Sequence, residues 1–236
     1  MKAMILAAGR GERMRPLSDA LPKPLLEAGG KTLIAWQLER LAAAGFTEIV
    51  VNVAHCAAAI ESALGDGARF GAAIRYSREL EPLEVAGGIA TALPLLGEGV
   101  VLVVSSDLYT DYDYATLADR AAAMTATLAP PHAHMVMVPN PVYHPQGDFR
   151  LVDGHLALEG GVASTFGNIA LYRTSLFREL PRGEKLKMLP LYRQWIGRGW
   201  VSGELFSGTW ANVGTPGDLA ELDAALNLRH AQKTPT

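Results

Sequence analysis

The sequence predicts an α/β protein built on a mainly parallel β-sheet flanked by helices. Short apolar runs alternate with segments of helical periodicity along most of the chain. Residues 100–104 form the most hydrophobic run, which is typical of a central strand. Residues 48–53 form a continuous, mostly β-branched run, which is typical of a strand covered on both faces. The order strand, helix, strand favours parallel pairing through right-handed crossovers.

Local signals define the elements of the amino-terminal half. The first helical segment closes at Gly45 and the second at Gly65, since glycine commonly ends a helix. Small residues at 85–88 predict the opening of a third helix, and an alanine-rich stretch predicts a fourth. The predicted strands are 2–6, 48–53, 73–76 and 100–104, and the predicted helices are 32–43, 57–64, the one that opens at 85–88, and 114–124.

The carboxyl-terminal half has weaker but readable signals. Asp153-Gly154 between two short runs predicts a hairpin. Pro216 suits the first turn of the final helix, and residues 126–133, which contain Pro130-Pro131, predict a loop. The predicted strands are 135–138, 150–152, 155–157 and 165–172, and the predicted helices are 187–196 and 216 to about 228.

Composition excludes several classes of protein. A chain of 236 residues with 49% hydrophobic content suits one α/β domain. The net charge of −3 gives no general case for a nucleic-acid partner, and the single cysteine, Cys56, excludes an internal disulfide. No apolar run approaches the ~18 residues of a membrane helix. We therefore expect a cytoplasmic protein with no nucleic-acid or membrane partner.

The first 25 residues carry the clearest functional signal. A strand breaks there into residues with little or no side chain, so that backbone N–H groups can lie directly against a ligand. Successive amides in such a loop form an anion-binding concavity, and nearby cations add positive charge. The sequence therefore predicts a polyphosphate site. The small residues are Ala7, Ala8, Gly9 and Gly11, and the cations are Arg13, Arg15 and Lys23.

Other phosphate-binding motifs fit this region poorly. A dinucleotide fingerprint would need a third glycine where Met14 stands. A Walker A loop ending at Gly30-Lys31-Thr32 would need its opening glycine where Leu25 stands. The plain alternative is a glycine turn with solvated arginines, and the cluster of cations and prolines after the turn weighs against it.

Polar residues at the ends of other predicted strands should converge on the same site, because ligands of such sheets bind at the carboxyl ends of the strands. Asn52 ends one strand, and Ser105-Ser106-Asp107 follows the most hydrophobic one. A carboxylate opposite a phosphate-binding loop suits Mg2+, which takes one or two carboxylates together with phosphates and waters. The alternative for Asp107 is a helix cap.

The ordered motif of residues 6–17, followed by Pro22-Lys23-Pro24-Leu25, resembles the signature of the sugar-1-phosphate nucleotidyltransferases. Residues 139–149 are similar to the pattern of the short bacterial members that act on N-acetylmuramate α-1-phosphate. The resemblance implies a Rossmann-like, mixed and mainly parallel sheet of the glycosyltransferase-A type in a three-layer sandwich. It also implies an enzyme of peptidoglycan recycling that uses Mg2+. This enzyme would convert UTP and a sugar 1-phosphate to UDP-sugar and pyrophosphate.

The same resemblance implies roles for individual residues. Lys23 and Arg13 are the implied catalytic cations, and Asp107 and Asn212 are the implied metal ligands. The family normally carries aspartate in place of Asn212, so Mg2+ binding should be weaker here. The implied nucleotide-binding residues are Leu6, Ala7, Ala8, Gly9, Gly11, Asn52, Ala86, Gly87, Gly88 and Ser106. The implied sugar-binding residues are Glu84, Asn140, Asp148, Thr165 and Lys187.

The resemblance implies one domain at 1–229, mainly nucleotide-binding over 1–125 and mainly sugar-binding over 133–229, with a tail at 230–236. Its substrates would be a nucleoside triphosphate and a sugar 1-phosphate, and the protein would be a monomer or homodimer. Two alternatives stay open. One is an enzyme for a glucose, mannose or heptose phosphate with UTP, dTTP or GTP. The other is a catalytically weak, nucleotide-sugar-binding regulatory subunit, which Asn212 and the Ser105-Ser106 pair would favour.

Overall fold

The computed structural model describes residues 1–233, which form both helices and strands. The strands are β1 Lys2–Leu6, β2 Glu27–Ala28, β3 Lys31–Thr32, β4 Glu48–Val53, β5 Ala73–Arg78, β6 Val100–Ser105, β7 Leu108–Thr110, β8 Ala133–Val138, β9 Phe149–Val152, β10 His155–Ala157, β11 Ala163–Arg173, β12 Val201–Leu205 and β13 Trp210–Asn212. The helices are α1 Leu17–Ala20, α2 Leu33–Ala43, α3 Ala57–Leu64, α4 Glu84–Leu96, α5 Ala115–Thr125, α6 Leu189–Gly197 and α7 Pro216–Lys233.

The largest sheet of the described residues has nine strands in the order β5-β4-β1-β6-β11-β8-β12-β10-β9. β5, β4, β1 and β6 are parallel to one another, whereas β11 runs antiparallel to both β6 and β8. The predicted α/β fold with a mixed sheet is therefore confirmed. Parallel pairing dominates only among the amino-terminal strands. β6 lies between β1 and β11, as expected for an interior strand.

Strands β8 to β12 pair with one another in a closed ring. β11 is eleven residues long. Its start pairs with β9, where Ser164 faces Phe149, and the rest pairs with β6 and β8. The pairs β8–β12, β12–β10 and β10–β9 complete the ring. Gly203 lies within this ring, where a Cβ atom would lie 2.8 Å from Leu156 Cδ2 and 3.2 Å from the Met135 carbonyl oxygen.

Apolar side chains pack against both faces of the sheet. On one face, α2, α3 and α5 bury Leu38, Ile60 and Leu117 in a common cluster with strand residues. On the other face, α4 and α6 bury Ile89 and Trp195. Full burial of one such side chain contributes about 1.5–3 kcal/mol to folding. The helices are thus fixed on the strands, and the strand ends that carry the site are held in place.

Parts of the carboxyl-terminal half differ from the prediction. β12 was not predicted, because Val201–Leu205 contains a serine and a glycine and does not form an apolar run. α6 begins at Leu189, two residues later than expected. α7 continues to Lys233 rather than ending near 228, and residues 234–236 of the predicted tail lie outside the described residues. Within the described part, no helix is both long and apolar enough to cross a membrane.

A polar cluster ties β12 to β8 and to α5. Glu204 accepts a hydrogen bond from the Tyr112 hydroxyl. Its carboxylate also lies 3.4 Å from Nε2 of the buried His134 and 3.6 Å from the Arg120 guanidinium. The close contact with His134 is the largest of the effects that lower the pKa of Glu204 to about 2. The ionised carboxylate therefore stabilises the folded chain relative to the unfolded chain.

Replacing Glu204 with glutamine should lower the free energy of unfolding by about 1–2 kcal/mol at pH 7, after discounting for solvent screening. The pKa of Glu204 is depressed on folding, so its contribution is fully present above the ordinary glutamate pKa of 4.5 and declines as pH falls towards about 2. Urea unfolding of both proteins between pH 7 and about pH 3.5 would show the two stabilities converging once the pH drops below that ordinary value. A difference that stays constant with pH would contradict the assignment.

Candidate active site

A cleft of about 890 Å³ opens at the carboxyl ends of β1, β4 and β6, beside the start of α4. Most of the predicted site residues line it, and those that do are Leu6, Ala7, Ala8, Gly9, Gly11, Arg13, Lys23, Asn52, Glu84, Ser106 and Asp107. The remaining predicted residues do not line it, and these are Ala86, Gly87, Gly88, Asn140, Asp148, Thr165, Lys187 and Asn212. The structure therefore brings the phosphate loop and the predicted metal ligand Asp107 together in one cavity.

The loop after β1 has the predicted open backbone. A Cβ atom on Gly9 would meet nothing within 4 Å, so a ligand can approach the chain there. Gly11 has a φ of +63°, and a Cβ at this position would lie only 3.0 Å from Lys23 Cβ. The carbonyl of Gly11 accepts a 2.8 Å hydrogen bond from the Ser18 hydroxyl. Gly11 thus lets the loop fold tightly over the lysine.

Asn52 anchors this loop. Its Oδ1 accepts a 2.8 Å hydrogen bond from the Ala7 amide, and its Nδ2 donates a 2.7 Å bond to Glu79 Oε1. The other oxygen of Glu79 accepts from the Leu83 amide at 3.0 Å. The Ala7 amide and the Asn52 side chain are thus engaged with the protein itself, although both residues line the cleft.

Glu79 is a site residue that the sequence did not reveal. It lines the cleft but is 7% exposed, and burial raises the pKa of its carboxyl group. Its two bonds join β4 to the start of α4. In the sequence, Glu79 follows a strand and has the appearance of an ordinary surface carboxylate. Only the contact with Asn52, 27 positions away, distinguishes it.

Gly87 and Gly88 lie where an added side chain would meet other parts of the protein. Both were expected to make room for the base and ribose. A Cβ on Gly87 would instead lie 2.1 Å from the Glu184 carbonyl oxygen, and a Cβ on Gly88 would lie 2.9 Å from Asn52 Nδ2. The amides of Ala86 and Gly87 point at the Leu186 carbonyl, at 3.2 and 3.3 Å. These glycines therefore allow protein segments to approach one another.

Lys23 and Asp107 meet at the wall of the cleft. Lys23 Nζ lies 2.5 Å from Asp107 Oδ2, and the two side chains are 12% and 25% exposed. The backbone of Asp107 is fixed as well, since its carbonyl accepts a 2.9 Å bond from Val213. This pair gives the cleft one ammonium and one carboxylate of a kind that can bind a metal ion, both close to the phosphate loop.

Asn212 lies beside Asp107 because β13 pairs with β7, with Asn212 opposite Leu108. Across the described residues, His, Cys, Asp and Glu side chains form no group of three or more that could hold a metal ion. The two predicted metal ligands, Asp107 and Asn212, would supply one carboxylate and one amide oxygen. This donor set fits Mg2+, which completes its shell with phosphate oxygens and waters.

Arg13 is placed by the start of α7. A Cβ on Gly214 would lie 3.4 Å from both terminal nitrogens of Arg13 and equally close to Asp218 Oδ2. Asp218 caps the helix by accepting from the Gly214 and Thr215 amides at 2.9 and 2.8 Å. Gly214 lines the cleft and was not predicted. It admits the guanidinium between the phosphate loop and the helix start.

The three polar residues predicted for the sugar are bonded within the protein. Asn140 Oδ1 accepts from the Thr165 hydroxyl at 2.9 Å, and its Nδ2 donates to the carbonyls of Pro145 and Ala163. Asp148 accepts from the Phe166 amide at 2.8 Å. These hydrogen bonds attach the 139–148 loop to β11, so the three side chains stabilise the position of the loop.

The 139–148 loop brings Tyr143 near Asp107 and Asn212, the two predicted metal ligands. Burial of the hydroxyl raises the pKa of Tyr143, and the carboxylates of Asp218 and Asp107 add to the effect, while Asn212 and Arg13 oppose it. The Tyr143 hydroxyl is therefore within electrostatic reach of groups on the phosphate loop, β13 and α7. The residue is 63% exposed, which leaves much of its surface available to a ligand.

Lys187, predicted to pair with the sugar phosphate, is exposed and does not line the cleft. Lys185, two positions earlier, does. The sequence could not separate these two lysines, because both precede α6 in an irregular segment. The path of this segment depends on its contacts with α4.

Comparisons with known proteins identify the family of this chain. The family model described as nucleotidyl transferase matches residues 2–139. N-acetylmuramate alpha-1-phosphate uridylyltransferase from Neisseria meningitidis serogroup B is 49% identical over 95% of this chain and 97% of that protein. The Caulobacter vibrioides protein of the same name is 34% identical over 97% of each chain.

Solved structures share the fold at lower identity. A Bacillus anthracis protein described as a glucose-1-phosphate thymidylyltransferase superposes with a TM-score of 0.84 at 20% identity, over 96% of this chain and 95% of that one. HddC from Yersinia pseudotuberculosis superposes with a TM-score of 0.74 at 19% identity, over 95% and 98%. At these identities the likeness concerns the fold alone.

Proposed function

Because this chain belongs to the nucleotidyl transferase family, we propose that it is a sugar-1-phosphate uridylyltransferase whose acceptor is N-acetylmuramate α-1-phosphate. The reaction joins the acceptor phosphate to the uridylyl group of UTP and releases pyrophosphate. The observation that carries the proposal is the cleft in which the open loop at Gly9, Lys23 and Asp107 face one another. The relatives named for this activity resemble the chain over nearly its whole length.

The chemistry is an in-line displacement at the α-phosphorus of UTP. The attacking phosphate oxygen is already ionised near pH 7, so no general base is needed, and the protein acts by positioning and neutralising charge. Lys23 screens the α-phosphoryl oxygens, and Arg13 with the loop amides at 9–11 holds the β- and γ-phosphates. Ser106 stays with the loop, since its amide donates to the Leu6 carbonyl at 3.1 Å.

A divalent metal belongs to this proposal, since nucleotidyltransferases of this kind generally depend on one. Asp107 and Asn212 are the residues that would hold Mg2+, and the ion would neutralise phosphate oxygens when bound. The Lys23 ammonium now sits on one oxygen of Asp107. The phosphates of UTP offer that ammonium another anionic partner, which would leave the Asp107 oxygen to the metal.

Finer features are also proposals. The two apolar clusters on opposite faces of the sheet support a three-layer sandwich. The cleft-lining residues of 1–125 support a nucleotide-binding half, and the loop on β11 supports a sugar-binding half at 133–229 in one domain, 1–229. We place the enzyme in the cytoplasm, in peptidoglycan recycling, as a monomer or homodimer.

A substrate panel tests the proposal. With Mg2+, we expect pyrophosphate release from UTP and N-acetylmuramate α-1-phosphate at least about tenfold faster than from glucose, mannose or heptose 1-phosphates or with dTTP or GTP. Pyrophosphate detection and the mass of the nucleotide sugar are the readouts, with Asp107→Ala as the background. Preference for another pair would favour the alternative enzyme. Binding of nucleotide sugars without turnover of any pair would favour a regulatory subunit.

A further inference from the structure

Lys185 differs in origin from the other cations of the cleft. Among the described lining residues, Arg10, Arg13 and Lys23 all come from the first 25 residues, whereas Lys185 comes from the segment before α6. Lys185 forms no ion pair with any described residue, whereas Lys23 is paired with Asp107. Lys185 therefore adds a positive charge on a second side of the cleft. No described protein group lies within salt-bridge distance to neutralise this charge.

The segment that carries Lys185 is fixed to α4. The Gly183 amide donates to Thr91 Oγ1 at 2.9 Å, and the Leu186 amide donates to the Leu83 carbonyl at 3.0 Å. The Leu186 carbonyl in turn faces the first amides of α4. The absence of a side chain at Gly87 lets the Glu184 carbonyl approach to a distance that any Cβ would block. Lys185 is thus presented from an anchored backbone.

The surroundings of Lys185 are otherwise acidic. Glu81 and Glu84 line the cleft next to Leu83, to which the lysine segment is bonded. An anionic group of a ligand would be repelled from this wall by the two carboxylates unless an ammonium paired with it. A single cation in such a place suits recognition of one carboxylate at a defined position.

The proposed acceptor carries two separate anions. Its phosphate must meet UTP at the phosphate loop, where the three amino-terminal cations lie. Its lactyl ether ends in a carboxylate, which N-acetylglucosamine 1-phosphate lacks. We propose that Lys185 binds the carboxylate of the acceptor and so selects N-acetylmuramate 1-phosphate over N-acetylglucosamine 1-phosphate, which has the phosphate but not this second anion. This assignment rests on the proposed function and identifies the group that decides its acceptor.

The test compares two acceptors in wild type and Lys185→Met. The KM for N-acetylmuramate α-1-phosphate should rise about tenfold, or 1.4 kcal/mol, with kcat and the KM for UTP little changed. The affinity for N-acetylglucosamine 1-phosphate, measured as an inhibition constant where its turnover is slow, should stay within about twofold. Lys185→Arg should restore most of the preference, because it returns the positive charge. Arg193→Met, which removes an exposed charge from α6 outside the cleft, is the matched control.

The outcomes separate this assignment from the proposed function. An equal loss for both acceptors would place Lys185 at the shared phosphate or in the fold and would overturn the assignment. An unchanged KM for the muramate acceptor would overturn it as well. Wild-type protein that transfers uridylyl to neither acceptor would refute the proposed function itself, a result read before any variant is made. UTP binding and circular dichroism of Lys185→Met establish that the variant is folded.

Discussion

Alanine at position 23 is expected to lower turnover at least about a hundredfold while the protein stays folded. The Lys23 ammonium lies 2.5 Å from Asp107 and borders the phosphate loop through the close approach to Gly11. Removing one such preorganised charge from a transition state commonly costs about 3–4 kcal/mol. The fold should survive, because the carboxylate left unpaired is 25% exposed and can be hydrated. Steady-state pyrophosphate release measures the effect.

A second readout separates catalysis from folding. Without Lys23, the ammonium no longer competes for Asp107, so the affinity for Mn2+ in the absence of nucleotide should rise. Electron paramagnetic resonance of free Mn2+ can follow this change. Lys31→Ala is the matched control, since Lys31 pairs with Glu39 and does not line the cleft. Turnover close to wild type in Lys23→Ala would remove this lysine from the mechanism.

The amino-terminal half was predictable from its sequence because its signals are local. Residues 2–6 and 48–53 match β1 and β4 at both ends, and residues 57–64 match α3. Their boundaries are set by apolar runs and by turn glycines such as Gly65, which adopts a φ of +61°. These properties depend on a few neighbouring residues, so no knowledge of the tertiary fold is needed to read them.

The carboxyl-terminal half was less predictable because its strands are defined by distant partners. β12 contains Gly203, whose missing side chain accommodates Leu156 from β10. A glycine in a short polar run reads as a loop until that partner is known. The residues of the candidate site also differ in how far they depend on distant contacts. The phosphate loop was readable as a contiguous motif, whereas Glu79, Lys185 and Gly214 enter the cleft through contacts with residues far along the chain.

Restoring a carboxylate at Asn212 should raise the affinity for a divalent metal about tenfold to a hundredfold. β13 holds residue 212 opposite Leu108, next to Asp107, so Asn212→Asp would add a second carboxylate on the strand that neighbours Asp107. A second negative ligand strengthens binding of a hard cation, and like-charged carboxylates without an ion repel each other. The nucleotide-free Mn2+ affinity is the direct measurement.

Activity should change in step with affinity. At limiting Mg2+, Asn212→Asp should turn over faster than wild type, and at saturating Mg2+ the two should approach each other, because the substitution acts on metal occupancy. Gln194→Glu adds the same charge on the exposed face of α6 outside the cleft and should leave both properties unchanged. An unaltered Mn2+ affinity in Asn212→Asp would place the metal away from β13. Absence of turnover in both forms, with nucleotide sugar still bound, would mean that this cleft binds without catalysing.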